Sequence, residues 1–509
     1  MNRSKRFAYN SILSLVQQIV TIICGLILPQ LILKSYGSTV NGVMASITQF
    51  LSFITLLQGG VGTVARLAFY KPLAEKDDYK ISVAFKTISD FYKKFSIIFV
   101  VYLLILSVIY PFIVQTGLGF WYVFSLTLIL GLASVFEYFF GQASQMLLYS
   151  DQKNYVYSVI QIICTILSTV VGIILIQHGA SVHAVKLFGA IVYAIRPLAQ
   201  FGYVKRKYRI DPNVSVDRAL LSQKGAALIR HIAFYIHTST DVMVLSLLSN
   251  VLWVSVYSVH RYVVSSLSNL VTSVLGNTEV VYGDMIARNE TETMKKQVPV
   301  YDLLSKIISC VCFFTCIILI SRFVNLYTKG VEDVQYYHPL FAILLSTSEL
   351  VYCMGLTYQN IYIAAGHIKK TEWIAVTEAI INLLLSIVLV RKFGIVGVAA
   401  GTLAAMIFKS IANIVYMKKN VFQFPIAFIV KSYTVNLILG VLLSVSFLTI
   451  WYFEINSYAH FFVISLLIFL IVTVSYVVVN TLFFYNEMQG VFLVLMKCIK
   501  RGKKFETMK

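Results

Sequence analysis

Charge is the scarcest resource in this sequence. Only 13% of its 509 residues are Asp, Glu, Lys or Arg, about half of the ~25% usual in soluble domains. A water-covered globule and a disordered, highly charged chain are both excluded by that deficit. Cysteine is sparse too. Six of the seven (Cys24, Cys164, Cys310, Cys312, Cys316 and Cys353) fall in apolar stretches and Cys498 in the basic C-terminal segment, so no disulfide is expected. The Cys310, Cys312, Cys316 cluster lacks His or paired CxxC spacing, which argues against a metal site. No cofactor is expected. Long polar segments are missing as well, the largest being 66–94, 204–225 and 283–299. A separate catalytic head has nowhere to reside, so the work of the protein is expected inside a bilayer.

What the sequence has is apolar length. It is 58% hydrophobic, with a mean hydropathy of +0.80. A helix needs about 20 mostly apolar residues to cross the ~30 Å hydrocarbon core, because lipid offers no partners to unpaired backbone groups. This predicts spans over 10–33, 42–65, 95–116, 119–146, 156–177, 180–203, 226–248, 252–282, 300–321, 336–364, 372–390, 394–417, 431–452 and 460–484. Runs such as Ile162–Ile176 and Phe461–Val479 lack the alternation of barrel strands. The first span carries Asn10, Gln17 and Gln18 without a small-residue cleavage site, and is expected to remain as helix one rather than act as a signal peptide.

The net charge of +20 is distributed by side. With an N-terminus inside, 30 of the 42 Lys and Arg lie in segments on that side, and only Lys34, Arg322, Lys329, Arg391 and Lys392 lie opposite. By the positive-inside rule both termini are expected in the cytoplasm. The basic residues then report orientation and attraction to membrane lipids, and no nucleic-acid partner is expected. Trp121, Trp253, Trp373 and Trp451 each stand at a predicted span edge, where the ring prefers the headgroup layer.

The span starts repeat. Spans one to six and seven to twelve are offset pairwise by 205 to 217 residues, with matching loop lengths. Because six is even, the halves are parallel repeats related by an axis along the membrane normal. The expected organisation is a six-helix lobe over 1–222, a second over 223–425, an extra helix pair over 426–485 and a basic cytoplasmic tail over 486–509. Two such lobes are expected to enclose a cleft.

The opening NSILSLVQQIVTIICGLILPQLILKSYGSTVNGVMASITQFLSFITLLQGGVG, with Pro29, Gly37 and the Gly59–Gly60 pair, resembles the first two helices of bacterial polysaccharide repeat-unit flippases. These are the O-antigen and capsule exporters of the multidrug/oligosaccharidyl-lipid/polysaccharide (MOP) superfamily. DVMVLSLLSNVLWVSVYSVHRYV, with Asp241, and INLLLSIVLVRKFGIVGVAAGTLAAMI, with Asn382, Gly394 and Gly397, are similar to later helices of that family. The likeness is diffuse but covers nearly the whole chain. It implies an all-α, MATE/MOP-like membrane fold, a non-enzymatic function and a site in the bacterial cell membrane. The implied substrate is an undecaprenyl-diphosphate-type lipid-linked oligosaccharide. Further implied are membrane lipids as neighbours, a pathway's polymerase and glycosyltransferases as partners, and a monomer. Fourteen helices favour the polysaccharide and lipid II branches over the twelve-helix drug exporters.

Charges at bilayer depth point to mechanism, since each costs about 2.5–3.5 kcal/mol on insertion scales unless it meets a cavity or a partner. Arg261, deep in span eight, offers a planar fork suited to a diphosphate; the competing reading is an ion pair with Asp241 or Glu349. Arg196 and Arg230 stand near the cytoplasmic ends of spans six and seven, where snorkelling explains them almost as well. Lys409 and Lys186 complete the candidate substrate-binding cations. Asp241, Glu349, Glu137 and Glu378 are candidates for ion or proton coupling, with pairing to a cation the alternative. Lys306, Lys431, Glu279 and Glu372 lie nearer span ends and carry no functional expectation. Pro29, Pro111 and Pro197 interrupt spans one, three and six; Pro29 and Pro197 are candidate gating kinks, against the commoner static bend.

The leading expectation is a flippase moving lipid-linked repeat units outward by alternating access. A lipid II-type flippase and a MATE-type multidrug exporter are alternatives. A polysaccharide polymerase or other membrane enzyme fits less well, for want of a large external loop or a cytoplasmic domain.

Overall fold

A computed structural model describes residues 3–58, 61–217, 220, 239–275, 278–447 and 455–506. Arg230, the Gly59–Gly60 pair, Trp451 and most of span seven lie outside the described residues. Among the described residues all regular structure is helical. The fold is an all-α membrane fold, and among the described residues ten helices are long and apolar enough to cross a bilayer. Two compact units divide the chain, residues 1–258 with 330–334 and residues 259–329 with 335–509.

The first unit contains α1 (Arg3–Ser52), α2 (Val61–Glu75), α3 (Asp78–Ile113), α4 (Phe120–Phe136), α5 (Gln142–Ser150), α6 (Asn154–Gln177), α7 (Val182–Lys207), α8 (Ser239–Leu248) and the start of α9 (Val251–Leu275). Predicted span one and the first half of span two fall in α1, which breaks at Gly37, and the described remainder of span two lies in a 3-10 turn, Phe53–Gln58, and the start of α2. There φ is +83°, a left-handed value that glycine tolerates without a Cβ penalty. Asp333 caps the second half of α1, accepting the Ser38 amide at 2.6 Å and the Ser38 hydroxyl at 2.5 Å. Gly42 permits a close approach to the start of α9, since a Cβ would sit 1.8 Å from the Val251 carbonyl oxygen. Within the unit, α6 packs on α1 and α7, and α4 on α3 and α7.

The second unit contains the rest of α9, α10 (Thr278–Ala287), α11 (Thr291–Tyr327), α12 (Pro339–Met354), α13 (Leu356–Ala364), α14 (Glu372–Asn420), α15 (Ile426–Ser446), α16 (Tyr458–Phe483) and α17 (Tyr485–Glu506). α11 is its axis, touching α10, α12, α13, α15, α16 and α17. The most apolar stretch of α11 is 72% buried, against 17% for α16, so α16 presents its apolar surface outward. α14 holds predicted spans eleven and twelve and breaks at Gly394, where φ is +53° and ψ −132°. Its halves close on a Gly397-x-x-x-Gly401 face: a Cβ at Gly397 would lie 2.4 Å from the Leu389 carbonyl oxygen, and one at Gly401 2.9 Å from Ser386 Oγ.

Helix limits differ from hydropathy limits. The charged segments 66–94 and 283–299, expected as loops, are largely helical: α2 runs to Glu75, α3 starts at Asp78, and α11 starts at Thr291. Apolar content marks where lipid ends, whereas ion pairs spaced for a helix carry it into water: Lys94–Asp90 at 2.9 Å, Arg288–Asp284 at 3.0 Å and Lys295–Glu292 at 2.7 Å. Asp77 caps α3, and the Lys80 amide and ammonium hold its carboxyl below the usual range. Most of the basic C-terminal segment is helical as well, in α17, Tyr485–Glu506. Gly490 lies so close to α11 that a Cβ would come within 2.6 Å of Val300 Cγ2.

Candidate functional site

Three of the candidate cations each meet one of the candidate acids, and every pair lies within a single unit. In the first unit, Arg196 of α7 donates through Nη2 to Glu137 Oε2 at 2.7 Å and through Nη1 to Gln161 Oε1 of α6. The Tyr157 and Tyr193 rings stand 5.8 and 5.9 Å from the guanidinium carbon. Glu137 opens a π-helical turn, Glu137–Gly141, between α4 and α5. Such a turn inserts a residue into the helix and re-aims the side chains beyond it, and it is frequent at functional sites. Gly141 leaves the space the carboxylate occupies, as a Cβ there would sit 2.8 Å from Glu137 Cδ. Pro197 is buried within α7 beside Arg196, where it removes an intrahelical donor. Pro29 lies within α1 and Pro111 within α3.

Asp241 of α8 is buried and accepts the Tyr257 hydroxyl at 2.8 Å. Lys186 stands in the second turn of α7, half-buried. It makes no ion pair with any described residue.

In the second unit, Arg261 Nη1 meets Glu349 Oε1 at 2.5 Å, and the Ser268 hydroxyl donates to Glu349 Oε2 at 2.8 Å. Arg261 and Ser268 are seven residues apart on α9, two turns along one face. The Arg261 side chain is 23% exposed and that of Glu349 7%, so the cation is the more accessible member. Lys409 reaches Glu378 at 3.4 Å across the α14 hairpin, with its ammonium 5.3 Å from the Tyr352 ring. The two residues lie nearly equidistant in sequence from the Gly394 break.

One centre was not expected. Lys306 of α11 is fully buried with Asp302, one turn earlier, at 2.6 Å. Its ammonium also donates to the Tyr358 hydroxyl at 2.9 Å and to Ser432 Oγ at 2.5 Å, and stands 4.2 Å from the Tyr433 ring. It thereby joins α11, α13 and α15. The i,i+4 spacing was the available signal. Both residues fell at the edge of a span drawn from residue 300, but α11 starts at Thr291 and places them about three to four turns inside a helix.

An ion pair inserts into low dielectric more cheaply than two separate charges, because each carries the other's counter-charge. The chemistry of each pair is exchangeable: a phosphate can replace a carboxylate on a guanidinium, and a cation or proton can replace the guanidinium on a carboxylate.

No family model matches this chain, and no curated protein matches it. Solved structures do. The lipid II flippase MurJ in an inward-closed conformation matches with a TM-score of 0.68 at 17% identity, over 94% of this chain and 99% of that one. An inward-facing MATE-family multidrug resistance transporter of the MOP superfamily matches with a TM-score of 0.56 at 12% identity, over 78% and 94%. The MATE multidrug transporter DinF-BH in complex with R6G matches with 0.57 at 17%, over 82% and 96%. The fold is MOP-like. At these identities the likeness is one of fold, and it makes the chain a multi-pass membrane protein with the architecture of MOP transporters. These MATE transporters leave a larger part of this chain unmatched than MurJ does.

Proposed function

We propose that the chain is a flippase that carries polyprenyl-diphosphate-linked oligosaccharide repeat units from the cytoplasmic to the outer leaflet of a bacterial cell membrane by alternating access, for surface polysaccharide synthesis. The observation that carries this reading is the near-complete match to the lipid II flippase MurJ, 94% of this chain against 82% or less for the inward-facing MATE transporter and DinF-BH. A substrate with a diphosphate head and a lipid tail suits guanidinium groups at bilayer depth, where a phosphate can take the place of the paired carboxylate. Arg261 and Arg196 are the leading substrate-binding cations, each exchanging its own carboxylate, Glu349 or Glu137, for a substrate phosphate, with Lys409, Lys186 and Arg230 as further cations. The released carboxylates, with Asp241 and Glu378, carry the coupling ion or proton. Both termini lie in the cytoplasm, and the lobes have the 1–222, 223–425 and 426–485 organisation. Resemblance to O-antigen and capsule exporters selects the oligosaccharide; the polymerase and glycosyltransferases of the same pathway are the functional partners.

The MurJ likeness equally favours a second reading, a lipid II-type precursor flippase. Deleting the gene in its native organism and analysing lipid-linked intermediates separates the two. Accumulated repeat-unit lipid on the cytoplasmic side with loss of surface polysaccharide is the expected result. Unchanged polysaccharide with accumulated lipid II replaces it with the second reading, and unchanged levels of both overturn the flippase proposal. Full export by Arg261→Ala would remove that residue from the substrate site.

A further inference from the structure

The N-terminal end of α6 and the C-terminal end of α7 frame a groove of about 570 Å³, within the ~300–1,000 Å³ range of ligand pockets. It belongs wholly to the first unit and is distinct from the Arg196–Glu137 pair. Its floor is apolar, with Val159 and Ala199, and its rim carries Tyr155, Tyr203 and Arg206. Arg206 is exposed and makes no hydrogen bond or ion pair with any described residue. Lys205 and Lys207 flank it in the last turn of α7. The nearby acid, Asp151, is already occupied by the Lys153 ammonium and the Tyr208 hydroxyl, each at 2.5 Å. Among the described residues no carboxylate pairs with Arg206 at the rim.

Apolar surface continues from the groove along both helices. Ile163, Ile166 and Val170 of α6 and Ile195 and Ile191 of α7 are all more than 40% exposed. A cationic fork and two phenols above an open apolar track match one ligand chemistry, a phosphate joined to an acyl chain. Basic residues at a bilayer surface attract anionic headgroups, and Tyr rings settle at headgroup level. A choline headgroup would bring its own cation against Lys205 and Lys207. A diphosphate would ask for a second cation lining the groove, whereas Arg206 is the single basic residue among its lining.

We propose that this groove is a binding site for one anionic phospholipid, its phosphate on Arg206 between Tyr155 and Tyr203 and one acyl chain along Val159 and Ala199. The proposal rests on the membrane fold and is independent of the transported substrate. The test is native mass spectrometry of the full chain in detergent, with dioleoyl-phosphatidylglycerol and dioleoyl-phosphatidylcholine as probes. Wild type is expected to retain one phosphatidylglycerol in preference to phosphatidylcholine. Arg206→Gln is expected to lower that retention about fivefold, the effect of one basic residue at a lipid surface. Gly202→Leu provides a second variant with Arg206 intact: nothing lies within 4 Å of a Cβ at Gly202, so the new side chain fills the groove without a clash. It is expected to abolish retention. Equal retention of both lipids by wild type, or wild-type retention by both variants, overturns the proposal. Displacement of phosphatidylglycerol by equimolar undecaprenyl diphosphate, in wild type but not in Gly202→Leu, also overturns it and assigns the groove to a diphosphate lipid.

Discussion

Replacing Lys306 with Met removes an ammonium from a centre in which neither it nor Asp302 has any exposed surface. At an effective dielectric of about 20, two unit charges some 3 Å apart attract by roughly 5–6 kcal/mol. Most of that is cancelled by taking both charges out of water, so the intact pair contributes little net stability while a broken pair costs about 3–5 kcal/mol. Lys306→Met also removes the shared donor of Tyr358 and Ser432, so α13 and α15 lose their polar link to α11. Asp302→Leu alone strands the ammonium and is expected to cost a similar amount. The double variant leaves no buried charge and is expected to recover more than half of the larger single loss. Thermal stability of detergent-solubilised protein, monitored by fluorescence-detected size-exclusion chromatography, gives the four apparent midpoints needed. A Lys306→Met midpoint equal to wild type, or a double variant that loses the sum of both single losses, would refute the argument.

Gly440→Ala places a methyl 2.0 Å from Phe314 Cε2 and is expected to destabilise the α11–α15 contact by about 1–3 kcal/mol; the same chromatographic midpoint should fall, and recover when Phe314→Leu is added. Gly394→Ala keeps a left-handed φ of +53° with a side chain and should cost about 1–3 kcal/mol, whereas Gly119→Ala, in open space and with an extended φ of −62°, serves as a neutral control in the same assay. Gly141→Ala drives a methyl to within 2.8 Å of Glu137 Cδ, so the carboxylate must shift from its place against Arg196; under the flippase proposal, flipping in proteoliposomes should fall in Gly141→Ala and in Glu137→Gln, and wild-type flipping by both would remove this pair from the mechanism.

Helical content, the membrane class and the hairpin character of spans one–two and eleven–twelve were legible because each depends on local composition: apolar length for the span, glycine for the break. Gly37 and Gly394 stand out in the family-like segments, and both adopt backbone angles that other residues resist. Helix ends were less legible. α3 and α11 continue into charged sequence, where hydropathy falls while the i,i+3 and i,i+4 pairing of acids and bases keeps the helix intact. The deep charges were legible as a set and illegible as partners. Arg196 and Glu137 lie 59 residues apart and Arg261 and Glu349 88, and no local pattern joins residues at such separations. Lys306 and Asp302 were within reach of local reasoning, and misplacing the start of α11 hid them.

The pairings alter what a cation at bilayer depth signifies. Counted from sequence, seven basic and six acidic residues within spans leave the sign of any lumen undecided. Matched in three dimensions, Arg196, Arg261 and Lys409 are each locally neutralised, so inserting them no longer demands a waiting phosphate. Their availability to an anionic substrate then depends on the strength of the carboxylate contact and on access from solvent, and those two quantities rank the pairs differently. The Lys409 contact is the longest at 3.4 Å, while its partner Glu378 is 1% exposed. Arg261 has the shortest contact, 2.5 Å, yet its side chain is the most exposed of the three cations at 23%. A guanidinium presents its donors in a planar fork, so at 23% exposure Arg261 can meet a phosphate in a bidentate geometry. An ammonium can hold several acceptors, as Lys306 does, but it lacks that planar fork. That difference, rather than depth alone, is the physical reason to rank Arg261 ahead of Lys409 in the proposed contact with a substrate phosphate.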